Sequence, residues 1–289
     1  MNASSIEDKV GPALNEQRFQ MLEDIAKELA GDVTFPTCFD VAERIRRTLD
    51  DPAQSLVQIS TLISSEPLIS AKLIRLANSA AFASGSSQVR DIKGAIQRLG
   101  LAQVKATAMA IAMHQMLHSK HMVHFADIAQ ALWKHTLHSA AAAQVLARRL
   151  TRINPDEALL AGLVHDLGAF YMLYRATQYT ELRIRPDTVR YLIIQWHESI
   201  GLTLLGTLGL PEDIVEATRD HDQLRPAPAA PRNLADLVYL ANVLAGAHFE
   251  WSHQDGTRLD DDQFKLPATY LDLKPEIDAL ADTMAAAFQ

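Results

Sequence analysis

Cysteine is nearly absent: Cys38 stands alone among 289 residues. An intrachain disulfide is therefore excluded, and so is a thiolate-rich zinc site. A reducing compartment, the cytoplasm, is the expected location. Positive charge is also in short supply, with 27 Lys and Arg against 35 Asp and Glu and a net charge of −8. No basic stripe of the kind that tracks a phosphate backbone is present, so nucleic acid is not an expected partner. Long apolar runs are missing too. Ala106 to Met113, the most apolar stretch of its region, is far too short to cross a bilayer, and no membrane association is expected. The first nine residues, Met1 to Lys9, lack the apolar core of a signal peptide. Alternating β patterns, internal repeats and a recognisable attached output domain are likewise wanting, so any partner is expected to be a separate polypeptide.

What is there is a set of helices. A hydrophobic content of 48% supports a real core in one large or two modest domains. Residues 1–17 carry few large apolar groups and are expected to be a loose terminus. Phe19, Leu22, Ile25, Ala26 and Leu29 then recur at helical spacing. Asp51-Pro52 and Ser65-Glu66-Pro67 predict helix starts, with a side-chain cap and a proline where no amide donor is missed. Asn78 offers a donor and an acceptor at a small-residue junction, Asp91 caps a short helix, and Gly100 ends it. A longer helix is expected from about Ala102 to Leu117. In the second half, Trp133 and His135 open one helix, Asn154-Pro155-Asp156-Glu157 starts another, and Arg185-Pro186-Asp187 starts a long one carrying His197. Leu210-Pro211 precedes a helix expected to bear His221, Asn233 begins one through Asn242, and Ile277, Leu280 and Met284 mark a last short helix. The expected architecture is all-α. It has a loose terminus (1–17), an N-terminal helical lobe (18–122), a second helical lobe (123–250) and a C-terminal extension (251–289) packing on the body.

One stretch, Leu160 to Phe170, sets an imidazole and a carboxylate side by side, His165 and Asp166, inside an apolar helical run. A buried unpaired charge is costly, so something must meet them: another side chain, a metal or solvent in a cleft. His135, His165, Asp166, His197 and His221 are imidazole and carboxylate groups on several predicted helices, a supply that a first-row divalent metal can draw on in a helical bundle. Ordinary histidines satisfied by carboxylates and carbonyls are the alternative. Periodicity does not choose between His135 and His138. His114, His118, His121 and His124 straddle a helix end, where histidines are ordinarily solvated.

Several motifs carry a resemblance. Phe35-Pro36, Ser65-Glu66-Pro67-Leu68, the run from Leu73 to Ala80, Ile92 to Ile96 and Leu99-Gly100 are similar to the HDOD domain of bacterial signalling proteins. The likeness continues through Trp133 to His135, Ala161 to Gly168, His197 to Gly201, Leu210-Pro211, His221 and Leu240 to Asn242, covering roughly residues 20 to 248. It implies an all-α, two-lobed fold, with an HD-domain-like helical bundle in the C-terminal half. It also implies work in signalling assemblies, usually without catalysis. The related HD phosphohydrolase pattern, carried across, makes His135 the first ligand and His165 with Asp166 the next pair. His197 and His221 match the extra histidines of two-metal members. Asn242 stands where that pattern has a closing Asp, Ala169 where several branches have Lys, and Asp222-Gln-Leu-Arg where one branch has Gly-Tyr-Pro. The resemblance thus implies a non-catalytic signalling module with a degenerate pocket for a divalent ion (Fe, Mn, Zn or Ni). Signalling proteins or a small phosphorylated ligand would be its partners. A metal-dependent phosphohydrolase acting on a nucleotide or other phosphoester is the alternative.

Overall fold

Side-chain caps set where four of the helices begin among the described residues. The structure, a computed structural model, describes residues 12–30, 37–83, 88–117, 120–223, 225–246 and 266–288. Phe35-Pro36, residues 84–87, His118 and residues 247–265 lie outside them, as do the side chains of residues 37–41, 43, 120 and 121. All regular structure among the described residues is helical. The first half holds α1 (Pro12–Ala30), α2 (Thr37–Asp50), α3 (Leu56–Ser64), α4 (Pro67–Ala77), α5 (Ala80–Ala83), α6 (Ile92–Leu99) and α7 (Leu101–Leu117). A 3-10 turn (Lys120–Phe125) leads into α8 (Ala126–Leu150), α9 (Pro155–Val164), α10 (Leu167–Ala176), α11 (Thr180–Arg183) and α12 (Pro186–Thr207). The chain closes with α13 (Glu212–Ala217), α14 (Leu234–Leu244), α15 (Ala268–Leu271) and α16 (Lys274–Phe288).

The Asp91, Asn154 and Asn233 side chains accept from the amides of Gly94, Asp156 and Asp236 at 2.7, 3.0 and 2.8 Å. Each supplies an acceptor to a first-turn donor that the helix itself leaves unpaired. Pro67, Pro155 and Pro186 occupy first-turn positions. Asn78 uses both ends of its amide on one residue, donating to the Val89 carbonyl and accepting from the Val89 amide, each at 2.8 Å.

Several expectations need correction. Asp51 does not start a helix; its carboxylate accepts from the Ala53 amide within a turn. The helix begins at Leu56, where Ser55 and Gln58 form a reciprocal capping box that outcompetes the lone acid. Nor is the terminus loose up to residue 17, because α1 starts at Pro12. Its inward stripe is Leu14, Met21 and Ile25, seven and four residues apart on one face. Phe19, expected inside, is 79% exposed because it falls off that stripe.

In the interior, α7 is buried on most sides and lies between α2 and α9, while α8 runs against α9, α14 and α16, and α10 against α12. One hydrophobic core passes through both halves. The 25-residue α8 is the axis of the second half. Polar contacts fasten α1 to the far end of α10: the Tyr171 hydroxyl and the Arg175 guanidinium both donate to Glu28, and the Tyr179 hydroxyl donates to Asp24 at 2.6 Å. Arg175 is buried, so deleting its carboxylate partner strands a charge. Glu28→Ala is expected to cost about 3 kcal/mol in urea unfolding, whereas Lys27→Ala, which removes an exposed pair with Glu23, leaves the midpoint in place.

Candidate metal centre

Two helix crossings without side chains bring the chemistry together. A methyl group at Gly162 would stand 2.8 Å from the Ser139 carbonyl oxygen of α8. At Gly168 it would run into the His197 carbonyl and lie 2.7 Å from the Gly201 amide nitrogen of α12. Glycine alone permits both approaches. The first brings the end of α9 onto α8 beside His135; the second brings the start of α10 onto α12 beside His197.

His165 and Asp166 do not sit inside a helix. They form the break between α9 and α10, where the Asp166 carbonyl accepts from the amides of Ala169 and Phe170 and starts α10. The Asp166 carboxylate is thereby left to face the interior. His221 likewise lies in a turn just past α13. That turn contains Asp220 at φ +55°, a left-handed conformation uncommon for a residue with a side chain. Its amide donates to Glu198, next to His197, at 3.0 Å, so α12 holds the turn in place.

The five expected groups converge. Asp166 Oδ2 is 3.2 Å from His165 Nε2 and 3.6 Å from His135 Nε2, and those two nitrogens are 3.2 Å apart. Asp166 Oδ1 is 3.3 Å from His221 Nε2 and 3.6 Å from His197 Nε2, and that second pair is 3.4 Å apart. One carboxylate thus offers an oxygen to each of two imidazole pairs. Ser139 Oγ lies 3.2 Å from His135 Nε2.

Three rings have their tautomers set from behind. The Nδ1 atoms of His165, His197 and His221 are 2.8, 2.7 and 2.7 Å from the carbonyls of Gly162, Ile193 and Thr218. A carbonyl only accepts, so each Nδ1 carries the hydrogen. In the neutral rings, Nε2 then points a lone pair inward. Lone pairs and carboxylate oxygens at 3.2–3.6 Å repel unless a cation sits among them. The donor set therefore fits metal ions, in the two groups His135–His165–Asp166 and Asp166–His197–His221.

Without a metal, protons take that place. Burial pushes the Asp166 carboxyl up, but His165 and His221 outweigh it and hold it well below the usual carboxylate range. Burial dominates at His165 and lowers its imidazole. At His197 and His221 burial is overcome, by Asp222 with Asp166, and His221 is pushed up to about 9.

Asp222 is the member that the sequence reading passed over. Its Oδ2 is 3.2 Å from His197 Nε2, and its Oδ1 is 3.8 Å from His221 Nε2. A second His-Asp dipeptide, 221–222, was the available signal. Asn242 on α14 is turned elsewhere: its Nδ2 donates to the His221 carbonyl at 3.0 Å and to Asp222 Oδ1 at 2.9 Å. The amide positions the carboxylate. His138 lies outside the cluster, its Nε2 3.6 Å from Asp278. His114 packs on Trp133, with ring centroids 5.2 Å apart, and His124 is exposed.

The model of the HDOD domain matches residues 35–224. A curated relative, an uncharacterized protein of Treponema pallidum (strain Nichols), is 28% identical over 213 residues, covering 69% of this chain and 40% of its own. The chain thus spans well under half of that relative. Among solved structures, a candidate metal-dependent phosphohydrolase from Shewanella amazonensis SB2B superposes with a TM-score of 0.70 at 23% identity, over 94% of this chain and 99% of that one. An HDOD domain protein of unknown function from Geobacter sulfurreducens gives 0.57 at 19%, over 94% and 98%. At these identities the likeness shows the fold.

Gly168→Ala is expected to force α10 from α12 and cost roughly 1–3 kcal/mol in urea unfolding. Gly206→Ala, a helical position where a methyl meets nothing within 4 Å, serves as the control and is expected to hold stability or raise it by up to about 1 kcal/mol. The raised His221 gives a pH test. A group whose folded pKa exceeds its unfolded value of 6.5 stabilises fully below 6.5, and the contribution is lost as pH rises through about 9. Chelator-treated protein should therefore lose thermal stability across that window, and metal-loaded protein should stay level.

Proposed function

Because the chain belongs to the HDOD domain family, we propose that it is a regulatory module of signalling assemblies in the cytoplasm, with a buried centre that holds divalent metal without turning over a substrate. The observation that supports this most directly is burial. His135, His165, Asp166, His197 and His221 are each at most 3% exposed. Only the Asp222 side chain, at 21%, reaches solvent. A catalytic metal needs an open position beside room for substrate. Ligands closed in on five sides suit a structural or sensing ion, one that ties α8, the α9–α10 break, α12 and the turn after α13 into a single body. Iron, manganese, zinc and nickel all accept this imidazole and carboxylate set. Partners would be separate signalling proteins.

A phosphohydrolase is the second reading, supported by the shared carboxylate and by the one partly open flank at Asp222. There a bound metal would supply an activated water, while Asp222, despite its burial held below the usual carboxylate range by His221 and His197, would orient that water as an acceptor. The likeness to the Shewanella protein supports the fold of that reading alone.

Elemental analysis of purified protein tests the centre. Asp166→Asn is expected to empty it, since both groups share that carboxylate, and His135→Ala to remove about half the metal. His138→Ala should change nothing. Turnover of bis(4-nitrophenyl) phosphate that needs metal and vanishes in Asp166→Asn would favour the hydrolase.

Asn242→Asp separates the readings further. The new carboxylate would face the His221 carbonyl and Asp222, two acceptors, with no hydrogen to give. Metal retention is expected to fall by about tenfold or more, with no hydrolysis gained. A gain of both would overturn the assignment of Asn242 as a positioning residue.

A further inference from the structure

The side of α8 turned away from His135 faces an open cleft of about 1220 Å³ between α8 and α16. Trp133, His114 and Phe288 form its floor, with ring centroids 5.1 to 5.6 Å apart. Rings that close pack on one another, so they make a surface to lie on and not a cage to enter. Ala129 and Leu137 from α8 and Ala285 from α16 continue the apolar lining.

The two walls carry opposite charge. α8 and α16 run antiparallel, with His138 beside Asp278 at 3.6 Å and Trp133 against Phe288. One turn along from the first pair stand Lys134 and Asp282, both lining the cleft and each without an ion-pair partner among the described residues. The register that closes the one pair leaves the next pair apart, on opposite walls.

We propose that this cleft is a docking groove for one amphipathic helix of a partner protein. Size favours a helix over a metabolite, because small-molecule pockets hold about 300–1,000 Å³. Length agrees: the lining positions on α8 run from Ala126 to His138, roughly 18 Å or three helical turns. Charge decides the chemistry. A fatty acid or a phosphorylated metabolite would answer Lys134 and leave Asp282 opposed, whereas a helix can carry both signs. The fitting segment has apolar side chains at i, i+3 or i+4, and i+7 on the floor. An acidic flank meets Lys134 and a basic flank meets Asp282. The proposal rests on the module reading only in taking the partner to be a protein, and it uses no metal.

A fluorescein-labelled synthetic helix of about four turns, leucine-striped with Glu on one flank and Lys on the other, is the probe, read by anisotropy. Saturable binding is expected, with a loss of about tenfold or more in Ala285→Trp, which fills the groove. The exposed variant pair Lys134→Glu with Asp282→Lys should prefer the probe with its flanks exchanged by about tenfold; it keeps the test intact should Ala285→Trp misfold by circular dichroism. Chelator-treated and metal-loaded chains should bind the probe alike, which separates failure of the groove from failure of the metal reading. Three results overturn the proposal: no saturable binding, binding indifferent to the charge exchange, or dodecanoate occupying the cleft where the helix does not. Self-association abolished by Ala285→Trp would also overturn it, by making the occupant a second copy of this chain.

Discussion

Everything in the second half answers to one electrostatic constraint: the Asp166 carboxylate is buried with an imidazole pair on each oxygen. A carboxylate taken out of water costs several kcal/mol unless charge or hydrogen bonds replace the water. Here the replacements come from α8, α12 and the turn after α13, so those elements must all arrive within contact distance. The backbone bends to allow it. The break between α9 and α10 forgoes helical continuity, the turn keeps Asp220 in a left-handed conformation, and the crossings at Gly162 and Gly168 dispense with side chains. Each departure from regular structure lets a polar group reach that carboxylate.

The sequence made the ends of helices readable where a single residue decides them. Asp91, Asn154 and Asn233 cap because a short acceptor precedes an apolar stripe, a local matter. The failures are competitions. At 51–58 two capping devices stood within one turn of each other, and the reciprocal pair prevailed over the single acid. In α1 the phase of the stripe depended on Leu14, which falls within the stretch expected to be a loose terminus, and without it Phe19 took the inward place.

The centre was legible for a different reason. His135, the His165-Asp166 pair, His197 and His221 lie far apart in the chain, and periodicity alone had no means to join them; the family pattern did. That same pattern hid Asp222, because it directed attention to a carboxylate on α14 and treated 222 as a missing signature. The structure shows an acid next to its histidine, Asp222, with Asn242 as its donor. The second imidazole pair thus draws its own negative charge from the turn that carries His221.

That local supply of charge bears on how the chain assembles. His135 reaches His165 across 30 residues, and His197 reaches His221 across 24, so each imidazole pair closes within its own neighbourhood of sequence. Asp166 joins the two pairs through contacts to both His197 and His221, the latter spanning 55 residues. Closing that longest loop costs about 0.7 kcal/mol more than closing the 24-residue one. With Asp222 supplied locally, the second pair needs nothing from α14 to acquire its acid. The bundle can therefore form as two separately seeded hairpins, with a single carboxylate as the last rivet between them.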